Sequence, residues 1–338
     1  MATPRKQRIL FTIPRSEGHR QERREGAPQE FEIIIPKEGS KEEVLSLIGD
    51  ADFFFSERSG VIDQEIIAAG KRLKLIQRVG ALYYDIDLPA ARRAKIPVAF
   101  WPLATCIMVA EHLLLQILAL KKRLVEAHRR ATSGELWGHT PGEVTYEYFV
   151  YNWSSLTGIG GIYHATIGIL GFGEIAAELS KRLKNFQCTV LYNRRRRMPA
   201  VTEAELGATY ATQERIITRS DVVANLLPLT PETKGLLNAA AIARMKPGAI
   251  LVSCGSGGVI DEVAAAQALR SGHLGGFATD SWAYEPPFPD NPILQAPHTV
   301  LTPHIGNAGL DVRLAEDKEI YTNALRVLAG QDPQNRVA

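Results

Sequence analysis

Gly171, Gly173 and Ala176 stand in Gly171-Phe172-Gly173-Glu174-Ile175-Ala176 at a spacing that lets backbone N–H groups close on a phosphate. Gly171 permits a tight turn that a Cβ would block. Gly173 lets the main chain approach the anion, and the small methyl of Ala176 allows close helix–strand packing. The start of a following helix adds free N–H groups and a partial positive charge. About twenty residues further on, where such units select their ligand, Tyr192-Asn193 runs into Arg194-Arg195-Arg196-Arg197. Guanidinium groups suit phosphate because they bind it through two parallel hydrogen bonds.

The elements around these residues must place them together. Ile167–Leu170 is an apolar run that enters the turn; an amphipathic helix follows, then a second apolar run, Thr189–Tyr192. Strand, glycine turn, helix, strand and basic cluster make the βαβ unit that holds a dinucleotide's pyrophosphate. Units that prefer NAD usually carry Asp or Glu at the end of the second strand, for the ribose 2′-OH. Arginines stand there instead, so NADP is the expected cofactor, with NAD possible. Its contacts are expected at Gly171, Phe172, Gly173, Glu174, Ile175, Asn193, Arg194 and Arg195.

Composition narrows the rest. A chain of 338 residues favours two domains, and 45% hydrophobic with 22% charged residues is ordinary for a soluble globular protein. A net charge of +2 gives no reason to expect a nucleic acid or an anionic membrane as partner. Cys106, Cys188 and Cys254 are too few for a disulfide framework and too dispersed for a metal site. A reduced, cytoplasmic protein without a catalytic metal is the expectation. The amino terminus has only a short apolar run before Pro14, which does not make a signal peptide. Ile107–Leu120 is interrupted by Glu111, His112 and Gln116 and reads as too short and too polar to span a bilayer. His112 reads as a packed residue of that helix.

Strands are expected at Arg8–Ile13, Phe31–Ile35, Ala51–Phe55, Leu73–Val79 and Pro97–Phe100, alternating with helices that include Lys41–Ile48, opened by a capping box at Ser40 and Glu43. Gly18–Pro28 reads as a loop or irregular helix. Beyond the glycine turn, strands are expected at Ala208–Tyr210, Asp221–Asn225, Ala249–Ser253, Gly276–Thr279 and Val300–Thr302, with helices at Asp261–Ser271 and Gly309–Ala329. Repeated βα units imply α/β architecture, with mostly parallel sheets covered on both faces. The aromatic, irregular stretch Gly134–Tyr163 reads as an arm that packs in a dimer.

Several segments in one order resemble the D-isomer-specific 2-hydroxyacid dehydrogenases, of the NADP-preferring, glyoxylate- or hydroxypyruvate-reductase-like kind. They are LKLIQRVGALYYDIDLPAARRAKIPV from Leu73, VAEHLL at Val109–Leu114, the GFGEIA turn and SDVVANLLPLTPETKGLLN at Ser220–Asn238. MKPGAILVSCGSGGVIDE at Met245–Glu262, DSWAYEP at Asp280–Pro286 and TPHIG at Thr302–Gly306 follow. The resemblance implies two doubly wound Rossmann-like domains with a cleft between them. Residues 1–104 plus 306–338 would form a flavodoxin-like substrate domain, and residues 105–305 the dinucleotide-binding domain. It implies a homodimer, and reversible hydride transfer between nicotinamide and a 2-keto or 2-hydroxy acid or related carbonyl compound. His304 matches the family's acid/base histidine and Glu285 its carboxylate partner. Val79, Gly80 and Ala81 match the loop that holds the substrate carboxylate. Leu227, Pro228, Thr233, Cys254, Gly255, Asp280, His304 and Gly306 match residues that line the cofactor.

One departure matters. The family carries Arg-Gly where this chain has Ser256-Gly257, and no arginine lies between Ala249 and Leu269. Serine offers one neutral hydrogen bond in place of a charged, two-pronged donor. Losing a donor that stabilises developing oxyanion charge costs on the order of 10²–10³ in rate. Arg78, Tyr83, Tyr84, Trp101 and Trp282 are candidates to replace it. Two readings remain: an oxidoreductase with an unusual substrate, or a dinucleotide-binding regulator or pseudoenzyme on the same scaffold.

Overall fold

In the computed structural model, residues 5–14, 17–57, 60–307 and 309–338 are described. The reading of the amino terminus as no leader falls partly outside them. The chain divides into two compact units: Met1–Met108 with Gly173–Ala177 and Asn307–Ala338, and Val109–Phe172 with Glu178–Gly306.

The first unit is built on five parallel strands, β1 (Gln7–Phe11), β2 (Phe31–Ile34), β3 (Phe53–Glu57), β4 (Leu75–Val79) and β5 (Val98–Trp101), in the order β2-β1-β3-β4-β5. Every residue of β3 and β4 is buried, as expected of parallel strands covered on both faces. Alternation splits the phenylalanines of β3: Phe54 joins one core with Ile48, Ile66 and Ile76, while Phe53 and Phe55 join the other with Ile320, Tyr321 and Ala324. Tyr321 stacks on Phe31 and Phe55 at 6.0 and 5.9 Å between ring centres, which pins the carboxy-terminal segment to this sheet.

The second unit holds seven parallel strands, β6 (Thr166–Leu170), β7 (Thr189–Asn193), β8 (Ala208–Tyr210), β9 (Val222–Asn225), β10 (Ala249–Ser253), β11 (Leu274–Thr279) and β12 (Thr299–Leu301). Their order is β12-β11-β10-β9-β6-β7-β8. Chain order reverses beside β6, which pairs with β7 on one edge and β9 on the other. In doubly wound sheets the crevice at such a reversal, beyond the strands' carboxyl ends, is where ligands bind.

The expected strands all form, with ends shifted by a few residues. The helices differ more. The capping box is half formed: the Ser40 hydroxyl accepts the Glu43 N–H, but the Glu43 carboxylate turns to the N–H groups of Lys37, Glu38 and Gly39. Residues 17–26 form a regular helix rather than a loop. The apolar helix, expected from Ile107 and on through Arg130, starts earlier and is broken: it spans Ala104–Lys121, Arg123 takes a left-handed conformation, and a second helix, Leu124–Thr132, follows. With 18 residues and a mean hydropathy of 1.5, Ala104–Lys121 is long and apolar enough to cross a membrane, which corrects the reading of it as too short and too polar. Core helices pass the same test. This one buries Ala110, Leu113, Ile117 and Leu120, one stripe at helical spacing. The closing helix is two, Leu310–Glu319 and Thr322–Leu328. Ala200–Leu206, Gln213–Arg219 and Ala239–Ala243 are short helices that no sequence pattern announced.

Candidate active site

At the end of β6 the chain turns through Gly171, at φ +86°. A Cβ there would lie 2.7 Å from the Leu226 carbonyl oxygen, so glycine alone lets β6 turn this close to the chain leaving β9. The Gly171 N–H donates to the Asn193 carbonyl (3.1 Å), which ties the turn to the end of β7. At Gly173 the position of a Cβ opens onto free space at the start of the helix Glu174–Leu183. A tight turn, open space and a helix N-terminus fit a dinucleotide pyrophosphate. Phe172 is buried, tilted on Tyr192 at 4.6 Å, so only its backbone is open to a cofactor.

The four arginines are not equivalent. Arg194 is half-buried, while Arg195 and Arg196 are exposed. Arg197 is committed to Glu203. Arg195 sits near enough to Glu232 to help hold that carboxyl low, after a hydrogen bond with Thr230. The Asn193 amide donates to the Ala211 carbonyl (2.8 Å), and the Thr233 hydroxyl donates to the Pro228 carbonyl (2.6 Å); both shape their loops.

His304 Nδ1 lies 2.8 Å from Glu285 Oε2, while Glu285 Oε1 accepts the Trp282 N–H at 3.0 Å. Burial alone would raise the Glu285 carboxyl; the bonds from His304 and Trp282 outweigh it and hold the group below the usual glutamate range. Behind the histidine, Asp280 clamps the loop. Oδ1 accepts from the Thr302 hydroxyl (2.6 Å) and the Ile305 N–H (2.9 Å), and Oδ2 accepts from the Gly306 N–H (2.7 Å). Burial works against this carboxylate too, and these donors with His112 keep it ionised. His304, at φ +56°, sits between Thr302 and the clamped pair.

His304 and Glu285 open into a cavity of about 460 Å³, lined also by Leu226, Leu227, Pro228, Cys254, Gly255, Ser256, Gly257 and Ser281. Two apolar strand ends, the exposed His304–Glu285 pair and Ser256 thus meet in one place. The Ser256 N–H donates to the Leu227 carbonyl (2.9 Å), which fixes this loop against the end of β9. A Cβ on Gly257 would fall 1.7 Å from the Trp282 carbonyl oxygen, so the loop packs backbone to backbone. Burial pushes the Cys254 thiol up, so it enters the cavity neutral. Among the described residues the lining includes no arginine or lysine. Of the candidates to replace the arginine, Arg78 is fully buried and ion-paired with Asp85, and the Trp282 indole N–H donates to the Thr302 carbonyl (3.0 Å).

In the first unit Val79 ends β4, buried, and Gly80 follows at φ +129°. The Gly80 N–H is already used by the Trp101 carbonyl (2.7 Å). Those of Ala81 and Leu82 both donate to the carboxylate of Glu174, which clusters with this unit, at 2.6 and 3.1 Å. Ile175 is half-buried one residue on. All three N–H groups of this loop are thus engaged within the unit, that of Gly80 by Trp101 and those of Ala81 and Leu82 by Glu174.

A family model described as "D-isomer specific 2-hydroxyacid dehydrogenase, NAD binding domain" matches residues 114–306, which hold the whole seven-stranded sheet. The chain belongs to this family. It is an NAD(P)-dependent oxidoreductase with a nicotinamide cofactor and a small-molecule substrate. It is 32% identical to a glyoxylate reductase of Thermococcus onnurineus, across 91% of this chain and 90% of that one. It is 30% identical to the mitochondrial formate dehydrogenase 2 of Oryza sativa subsp. japonica, across 94% of this chain and 78% of that one. A solved structure from Pyrococcus horikoshii OT3 shares 28% identity and a TM-score of 0.59, covering 98% of this chain and 95% of that one.

In this dehydrogenase the sequence reading missed the layer behind the histidine. His112 is packed, as expected, but Nε2 also meets the Thr302 hydroxyl (3.0 Å), the Gln116 amide (3.2 Å) and Asp280 (3.4 Å). A histidine and a glutamine four residues apart on one helix face were the available signal. Among the described residues no group of three His, Cys, Asp or Glu is placed to hold a metal.

Proposed function

We propose that the chain transfers hydride between NADP(H) and a 2-keto or 2-hydroxy acid or related carbonyl compound. The observation that carries this is the His304–Glu285 pair opening into the cavity beside Ser256 and the ends of β9 and β10. Bound at the glycine turn, the nicotinamide dinucleotide would supply or accept the hydride. Glu285 fixes His304 through Nδ1, which leaves Nε2 to give a proton to the developing alkoxide or take one from an alcohol. Leu226, Leu227 and Pro228 keep water from that edge of the cavity. Arg194 and Arg195 receive the 2′-phosphate, which gives the preference for NADP. The first unit acts as substrate domain and the second as nucleotide domain. We assign the active form as a homodimer in the cytoplasm, paired through the aromatic stretch 134–163.

Ser256 sets the substrate. Without an arginine this loop gives a carboxylate one neutral donor, so simple 2-keto acids are poor substrates and less charged carbonyl compounds are better ones. The same serine supports a second reading, a dinucleotide-binding regulator. Ser256→Arg tests between them: a gain of roughly 10²–10³ in 2-keto acid reduction follows if the rest of the site is competent. No gain with intact cofactor binding would favour the binding role.

A further inference from the structure

Arg197 does not share the environment of its three neighbours. Its guanidinium forks onto Glu203, Nε to Oε1 at 2.9 Å and Nη2 to Oε2 at 2.8 Å. Glu203 stands on the helix Ala200–Leu206 and is itself buried. Its Oε1 also accepts the hydroxyl of Tyr192 (2.7 Å), a fully buried side chain on β7. The same hydroxyl accepts the Met198 N–H at 2.9 Å. Tyr192 in turn is held by Phe172 from the glycine turn and by Tyr210 on β8, at 4.6 and 5.5 Å between ring centres.

Two fixed points therefore bracket Arg194–Arg196. At one end Asn193 is tied to Gly171 through its carbonyl and to Ala211 through its amide. At the other, Arg197 and Met198 are tied to Glu203 and Tyr192. Burial, with the Glu203 bond, pushes the Tyr192 hydroxyl up, so it stays a donor. Arg197, with the Tyr192 hydroxyl, holds the Glu203 carboxyl low. A loop whose ends were not held would lose much side-chain and backbone entropy on closing round a phosphate; one closed beforehand loses less.

We infer that Tyr192, Glu203 and Arg197 are positioning residues, a brace that holds Arg194 and Arg195 ready for an adenosine 2′-phosphate while Arg197 itself binds none. The inference rests on the NADP preference proposed above. It gives Glu203 an unexpected sign: an acidic residue beside a phosphate site strengthens binding. Were Arg197 a direct ligand, Glu203 would compete with the phosphate, and its neutralisation would tighten binding.

The test is calorimetric binding of adenosine 2′,5′-bisphosphate and of AMP, which differ only in the 2′-phosphate, to the full-length protein. The wild type should prefer the bisphosphate. Glu203→Gln keeps the volume and an acceptor for Tyr192 but loses the charged fork, and should weaken bisphosphate binding roughly tenfold with AMP unchanged. Arg197→Lys, at the exposed end, keeps the charge without the two-pronged hold and should do the same; it serves where Glu203→Gln fails to fold. Equal or tighter bisphosphate binding in either variant overturns the brace, as does equal weakening of both ligands. Arg194→Ala with Arg195→Ala separates the two claims. If that pair abolishes the preference while the brace variants leave it, only the brace fails. If the wild type shows no preference, the NADP reading fails and the brace with it.

Discussion

On the proposed assignment His304 acts through Nε2 because Nδ1 is engaged by Glu285 at 2.8 Å. His304→Gln removes the proton donor, and kcat should fall by about 10²–10⁴ in either direction, with AMP binding unchanged. The pH profile follows from Glu285. Its folded value lies below that of a free glutamate, so the pairing is complete above the ordinary carboxylate range and is lost as pH falls through the depressed value. Wild-type kcat/KM should therefore hold well into mild acid before failing, and Glu285→Gln should lower it at all pH and remove that acid limb. A wild-type profile unchanged by Glu285→Gln would contradict the pairing. His304 and Glu285 were legible in the sequence because TPHIG and YEP flank them. Their support was not: Asp280 was expected to line the cofactor, and its grip on Ile305 and Gly306 depends on a backbone path that no spacing reveals.

Two loops of the second sheet carry the site as elements. The loop after β10 lies against the backbone of Trp282, with no room for a Cβ at Gly257. Gly257→Ala must push these backbones apart. Overpacking of this kind costs about 1–3 kcal/mol, read as a lowered thermal midpoint. It should also cost activity, because the Trp282 N–H that holds Glu285 moves with its carbonyl. Ser256→Ala, which adds no volume, should leave the midpoint near the wild type. The loop after β7 illustrates what sequence could and could not supply. Four consecutive arginines were visible; that Arg197 belongs to Glu203 was not, because the helix carrying Glu203 is short and has no cap signal at Pro199. Strands were read well since parallel strands buried on both faces are unbroken apolar runs. Helix ends were read less well, because Arg123 and Tyr321 break helices without glycine or proline.

For the whole molecule, the stretch 134–163 forms no helix or strand and leaves Tyr146 at 99% and Tyr151 at 83% exposed in a single chain. Large apolar groups exposed together mark an interaction surface. Light scattering after size exclusion should give twice the 37.2 kDa chain mass, and Tyr146→Asp with Tyr151→Asp should give the monomer. A wild-type monomer would contradict the proposed pairing. The most direct measurement for the central claim is the oxidation of NADPH and of NADH by the wild-type protein over a panel of carbonyl compounds, with and without a carboxylate. The expected result is turnover of at least one carbonyl compound, a lower KM for NADPH than for NADH, and weak activity on simple 2-keto acids. Tight binding of either cofactor with no turnover across the panel would contradict it.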